Sequence, residues 1–132
     1  MKLDHSALVA AAEAALKHAY APYSKLKVGA AVRTDSGAVY AGCNVENASY
    51  GLTNCAERTA IFSAVTAEGS GVRINAVAVA TDPVIPASPC GACRQVMSEF
   101  GGPHCAVIYR GLDGPVEATL KELLPDAFSS PL

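Results

Sequence analysis

The segment NCAERTA, Asn54 to Ala60, sets a cysteine, a glutamate and an arginine within about two turns of helix. Further along, PCGACRQ, Pro89 to Gln95, sets two more cysteines three positions apart. Thiols at i and i+3 at the start of a helix share one face. The positive end of the helix dipole favours their thiolate forms. Cys55 opens a second predicted helix, so Cys55, Cys90 and Cys93 can converge as three thiolates. Three thiolates around one point suit Zn²⁺ with its fourth position open, the arrangement of a catalytic site; a structural site closes all four. His5, His18 and His104 stand in no ligand-like spacing with any of the three. A lone CxxC is also compatible with a redox pair or half of a structural zinc knuckle. Glu57, two residues beyond Cys55, can lie beside the fourth position as a proton carrier. Taken alone, it reads as a first-turn acid that complements the helix dipole. Arg58, three residues after Cys55, falls on the same helix face and can donate to a thiolate sulfur; its alternative is a solvent-exposed helix arginine.

These residues need helices whose starts point at one place, and the chain supplies the elements. It has 132 residues, 51% of them hydrophobic, which fits a single domain over residues 1–132 with a core of its own. The N-terminal segment reads as an amphipathic helix from Asp4, as N-cap, to His18, with Pro22 ending any continuation. Leu26 to Thr34 and Ala38 to Val45 flank the turn signal DSG and predict a β-hairpin. Cys55 to Ala67 is helical by the spacing of Ala56, Ala60, Ile61, Ala64 and Val65. Ile74 to Thr81 is a continuous apolar run, the pattern of a central buried strand. Cys90 to Phe100 predicts a helix stopped by Gly101, Gly102 and Pro103; Cys105 to Arg110 predicts a strand and Ala118 to Leu124 a short helix, with room for one more short strand before it. Helices between the later strands imply right-handed crossovers and some parallel pairing. The expected fold class is α/β, a three-layer α/β/α domain around a mixed sheet of about five strands.

Composition excludes several functions. Ten basic residues against twelve acidic ones give a net charge of −2, with no Lys/Arg run, so no nucleic-acid partner is expected. No apolar window of about 18 residues is unbroken, so no membrane span is expected, and the N-terminus does not read as a signal peptide. Five cysteines, an odd number, argue against a disulfide framework and point to a reducing cytoplasm. Cys43 and Cys105 read as small buried hydrophobes in predicted strands. Arg94 and Gln95, after Cys93, are candidates for bracing the helix end.

The order Cys-x-Glu followed by Pro-Cys-x-x-Cys is the signature of zinc deaminases that act on nucleobases, with the glutamate as proton shuttle and not a ligand. Beyond it, AYAPYSKLKVGAAV (Ala19 to Val32), GCNVENASYG (Gly42 to Gly51), CAERTAIFSAV (Cys55 to Val65), SPCGACRQVMSEF (Ser88 to Phe100) and LKELLPDAFS (Leu120 to Ser129) together resemble the cytidine deaminase family of the small, homotetrameric, zinc-dependent type. The zinc motif is shared by many deaminases, whereas CNVENASYG is far more specific to those acting on nucleosides. The resemblance implies one Zn²⁺ per subunit and hydrolytic deamination of cytidine and 2′-deoxycytidine to the uridines and ammonia, in pyrimidine salvage. It also implies sites at the subunit interfaces of a tetramer. It maps ribose binding onto Asn44 and Glu46, with Val45 between them in the substrate-binding segment, a carboxylate being a good acceptor for two hydroxyls; otherwise Asn44 and Asn47 are turn residues capping strand ends. It places Glu57 and the Ala56 N–H at the pyrimidine edge. Tyr50 either shapes the pocket between subunits or fills the core, and Phe128 either reaches a neighbouring site or packs within its own subunit. Leu26 stands where many members carry an aromatic on the base, which forgoes a ring–ring contribution of about 0.5–1.5 kcal/mol.

Two rival readings remain at this level. One keeps the chemistry but changes the substrate to a nucleotide, an aminopyrimidine antibiotic or a base in RNA; acidic Glu46 disfavours a nearby phosphate, and the lack of a basic patch disfavours RNA. The other is a structural zinc module that binds a partner, in which Glu57 would be dispensable.

Overall fold

The computed structural model describes residues 4–130. Its elements are α1 (Ser6–Leu16), β1 (Lys27–Thr34), β2 (Val39–Cys43), a single 3₁₀ turn (Tyr50–Leu52), α2 (Ala56–Glu68), β3 (Ile74–Asp82), α3 (Gly91–Gly101), β4 (Ala106–Gly111), β5 (Gly114–Thr119) and α4 (Leu120–Leu123). They form one five-stranded sheet in the order β2-β1-β3-β4-β5. The apolar run of β3 is therefore its central strand, as the pattern predicts. β1 lies antiparallel to both β2 and β3, β3 is parallel to β4, and β4 is antiparallel to β5. The sheet is mixed, and β3–β4, joined through α3, is its parallel pair.

Alternation along the strands divides the core in two. Ala30 and Val32 of β1, with Val77 and Val79 of β3, face α2 and α3, where they meet Ala60, Ile61, Ala64, Cys93 and Met97. Ala31, Ala76 and Ala78 face the other way and meet Leu8 and Ala12 of α1. The layers are thus α1, the sheet, and α2 with α3. The α1 face uses alanine and glycine because the helix lies close: a Cβ on Gly29 would sit 2.0 Å from the Ala12 carbonyl oxygen. On the opposite face larger side chains fill the space, and full burial of Ile61 or Met97 is worth about 1.5–3 kcal/mol each.

Several boundaries differ from expectation, each for a local reason. α1 starts at Ser6 with His5 as N-cap, and Asp4 works one position earlier, accepting from the Ser6 N–H at 2.9 Å. β2 ends at Cys43: Asn44 keeps one backbone bond to β1, from its N–H to the Val28 carbonyl, but its carbonyl and the next two residues are paired elsewhere, as described below. Ala118 and Thr119, expected to open a helix, instead end β5, paired with Val107 and Ala106. Thr119 then serves as N-cap of α4 in a reciprocal capping box with Glu122. Cys105 immediately precedes β4 and is buried, whereas Cys43 is only half-buried.

Candidate metal and active site

Cys55 and Cys90, expected as the first helical residues, are the N-cap residues of α2 and α3, each one position before the helix itself, and Cys93 lies in the first turn of α3. The two helix starts meet at one end of the sheet. The three Sγ atoms lie within 4.8 Å of one another, with Cys55 Sγ and Cys90 Sγ 4.0 Å apart. Tetrahedral zinc with bonds of about 2.3 Å needs sulfurs about 3.8 Å apart, so the donor set fits that ion. Among the described residues no His, Asp or Glu joins this group, which leaves the fourth position to a non-protein ligand.

α2 is held in place from below by Gly42. A Cβ there would lie 2.5 Å from the Ala60 nitrogen and 2.8 Å from the Thr59 Cβ, so β2 can carry no side chain under the first turns of this helix. Thr59 hooks the same turn by donating to the Cys55 carbonyl at 3.1 Å, and it accepts from the Asn54 amide at 3.1 Å.

Electrostatics at the cluster follow from its composition. Cys55 is brought down to about 5, chiefly by the hydrogen bond from the Cys93 thiol, with Arg58 adding to the effect. Cys93 is pushed up by that same bond, since it is the partner that keeps the proton. The negative charge therefore resides on Cys55, and metal binding requires the loss of the Cys93 proton. Cys90 Sγ caps α3 by accepting from the Cys93 N–H at 3.4 Å. Arg58 Nη2 donates to Cys55 Sγ at 3.2 Å, as its position three residues on predicts. Its Nε is buried without a partner among the described residues. Glu57 is only 5% exposed, and burial raises its carboxyl above the usual range; its own backbone N–H acts in the opposite sense, while the Cys55 charge raises it further.

The family-implied ribose residues sit on a strap beside this cluster. Val45 pairs with Asn54, N–H to carbonyl in both directions at 3.0 and 2.9 Å, and Asn54 immediately precedes Cys55. On the other side the Tyr20 N–H donates to the Asn44 carbonyl, and the Glu46 N–H donates to the Tyr20 carbonyl. The side chains are engaged as well. Asn44 is buried, accepts from the Val28 N–H and donates to the Leu26 carbonyl, both at 2.9 Å. Glu46 accepts from the N–H groups of Tyr23 and Ser24 at 2.9 and 3.1 Å and from the Ser24 hydroxyl, whose bond chiefly holds its carboxyl below the usual range. Both residues thus anchor the segment that carries half-buried Leu26. Ser24 escaped the sequence reading; its position two residues before Leu26 carries no signal of a bond to residue 46.

Tyr50 is 76% exposed and meets Tyr23 edge to face, with ring centroids 6.0 Å apart, so within this chain it does not fill the core. Phe128 is 75% exposed. Arg94 braces more than its helix end. It donates to the carbonyls of Pro89 at 2.7 Å and Leu123 at 2.8 Å and to the Ser88 hydroxyl at 3.3 Å, tying the loop that carries Cys90 to the end of α4. Cys105, pushed up to about 12 by burial, is a packing residue.

Residues 2–109 match the family described as the cytidine and deoxycytidylate deaminase zinc-binding region. A cytidine deaminase of Sporosarcina psychrophila is 49% identical over 96% of this chain and 93% of its own length. Among solved structures, cytidine deaminase from Burkholderia pseudomallei superposes with a TM-score of 0.85 at 52% identity, covering 96% of this chain and all of that one. Cytidine deaminase from Mycobacterium tuberculosis superposes with a TM-score of 0.83 at 40% identity, covering 98% and 100%.

Proposed function

The chain belongs to the cytidine and deoxycytidylate deaminase zinc-binding family, and from that premise we propose that it is a zinc-dependent hydrolase that converts cytidine and 2′-deoxycytidine to uridine and 2′-deoxyuridine with release of ammonia. The observation that carries this reading is a buried carboxyl, Glu57, facing a cluster of three thiols that fits zinc. When bound, zinc supplies a Lewis acid that lowers the pKa of coordinated water to about 7. Glu57 does the proton work. Burial raises its pKa, which favours uptake of a proton. Glu57 takes a proton from the attacking water and delivers it to the ring nitrogen of the pyrimidine; it then takes the second proton from the hydroxyl now on the pyrimidine carbon and gives it to the departing amine. Water is consumed, ammonia leaves, and the carboxyl ends as it began.

The remaining residues bind and orient. The Ala56 N–H, in the first turn of α2 where helix donors have no internal partner, faces the pyrimidine edge. Asn44 and Glu46 hold the ribose, and Val45 lies between them in the same segment. The Glu46 carboxylate has about four acceptor directions and uses three on Tyr23 and Ser24, leaving one for a hydroxyl; Asn44 keeps one amide hydrogen beyond its bond to Leu26. Leu26 covers the base. Tyr50 and Phe128 complete the pocket from neighbouring subunits of a homotetramer. The exposed Tyr20, Tyr23, Tyr50 and Leu52 support that assembly, because apolar side chains clustered at a surface mark interfaces. The whole chain acts as one domain. No helix among the described residues is long and apolar enough to cross a membrane, and five unpaired cysteines suit a reducing cytoplasm.

Ammonia release from cytidine by the zinc-loaded enzyme tests the reading. Glu57→Gln lowers kcat by at least about 10²–10⁴-fold with zinc content unchanged; full activity in that variant would leave a structural zinc module as the better account. Turnover of cytidine 5′-monophosphate at a rate equal to cytidine would shift the substrate class to nucleotides.

A further inference from the structure

α3 does more than supply Cys93. The next residue, Arg94, reaches back to Pro89 and across to Leu123. The one after that, Gln95, is half-buried, and its amide donates to the Phe128 carbonyl at 3.1 Å. Residues 125–130 lie outside any helix or strand, and their side chains are exposed. They run past Ser98 and His104, which line a groove with Leu120, Leu124 and Ala127. Leu120, Leu124, Pro125 and Ala127 give this groove an apolar part, and apolar contacts permit sliding, because they are not directional. A hydrogen bond from a helix side chain to one main-chain carbonyl selects a single register. We infer that Gln95 is a positioning residue that sets the register of the C-terminal tail against the metal-bearing helix, so that the ring of Phe128 is presented from a fixed point. The consequence for substrate rests on the proposed role of Phe128; the anchoring itself does not.

The anchor depends on the donor and not on the bulk of Gln95. Gln95→Met keeps the length and the half-buried stem but cannot donate, and Gln95→Glu keeps the shape and replaces the donor by an acceptor. In the zinc-loaded enzyme each variant should speed chymotryptic cleavage after Phe128 by about three- to tenfold, the weight of one neutral hydrogen bond. Each should also raise KM for cytidine by a similar factor, with kcat and zinc content little changed. In a Phe128→Ala background the Gln95→Met change should add nothing further to KM. Unchanged cleavage in both variants overturns the anchor. An equal rise in KM with or without the Phe128 ring shows that Gln95 acts elsewhere and overturns the inference. Faster cleavage with unchanged KM upholds the anchor and removes Phe128 from the substrate site.

Discussion

Arg58 Nη2 lies 3.2 Å from Cys55 Sγ, and both belong to the start of α2. We propose an electrostatic role for this contact. Three thiolates carry three negative charges against the two of a divalent ion, and the excess opposes ionisation of a coordinated water. A guanidinium on the sulfur draws part of that charge away, and the two helix N-termini add to it. The Arg58 charge is itself stabilised by the bond, its pKa being raised chiefly by Cys55. Arg58→Gln should retain zinc, lose about 10- to 100-fold in kcat, in line with one charge-assisted hydrogen bond, and reach its plateau at higher pH. A pH–rate profile of the zinc-replete variant that overlays the wild type would return Arg58 to the role of an ordinary helix residue.

The sulfurs should also be distinguishable without metal. A pKa brought down to about 5 leaves Cys55 as thiolate at every pH well above that value. In metal-stripped protein, iodoacetamide labelling of Cys55 should hold its plateau rate down to about pH 6 and fall only as the pH passes through that pKa. An ordinary thiol would lose reactivity below about pH 8.5. Cys105, raised to about 12 by burial, should stay unlabelled throughout. Peptide mass spectrometry resolves the sites, and a Cys55 profile centred on the ordinary thiol value would refute the charge assignment.

Glu46 and Ser24 form a coupled pair whose parts can be separated. Glu46→Gln removes the charged acceptor and should raise KM for cytidine at least about tenfold, with zinc content constant. Ser24→Ala keeps the carboxylate but removes the bond that chiefly lowers its pKa. Because that pKa is lowered, Glu46 stays ionised as the pH falls, and the acid-side rise in KM comes late. Loss of Ser24 lets the carboxyl protonate sooner, so the rise should move to higher pH. Steady-state KM between neutral and mildly acid pH measures it, and an unaltered KM in Glu46→Gln would take the residue out of the site.

Gly42→Ala tests whether the sheet sets the position of the metal helix. The added methyl would press on the Ala60 nitrogen and the Thr59 Cβ. Overpacking of this kind costs about 1–3 kcal/mol, and here the relief is displacement of the turn that carries Cys55. Thermal stability should drop and zinc should be lost faster to a chelator. Gly71→Ala, where an added Cβ meets nothing within 4 Å, is the stability control. Equal melting temperatures for the two variants would mean that α2 is seated by other contacts.

Much of this protein is decided within a few residues of chain. The i, i+3 spacing of Cys90 and Cys93, the position of Glu57 two beyond Cys55, and the apolar run of β3 each depend on local geometry, and each can be read as written. Even the end of β5 had a local clue, since Thr119 and Glu122 make a capping-box pattern. Other features depend on partners far away in sequence. β2 stops at Cys43 because Tyr20 and Asn54 capture Val45 and its neighbours from either side. Asn44 and Glu46 look like free polar groups in sequence, yet their side chains fasten residues 23–28. Arg94 joins Pro89 to Leu123, and Gln95 meets Phe128. Residue types and spacing determined which thiols and which carboxyl could do chemistry. Only the tertiary structure decided where three sulfurs from two helix starts meet and which polar groups remain to face a substrate, because a hydrogen bond goes to whichever group the fold brings within about 3 Å, at any distance along the chain.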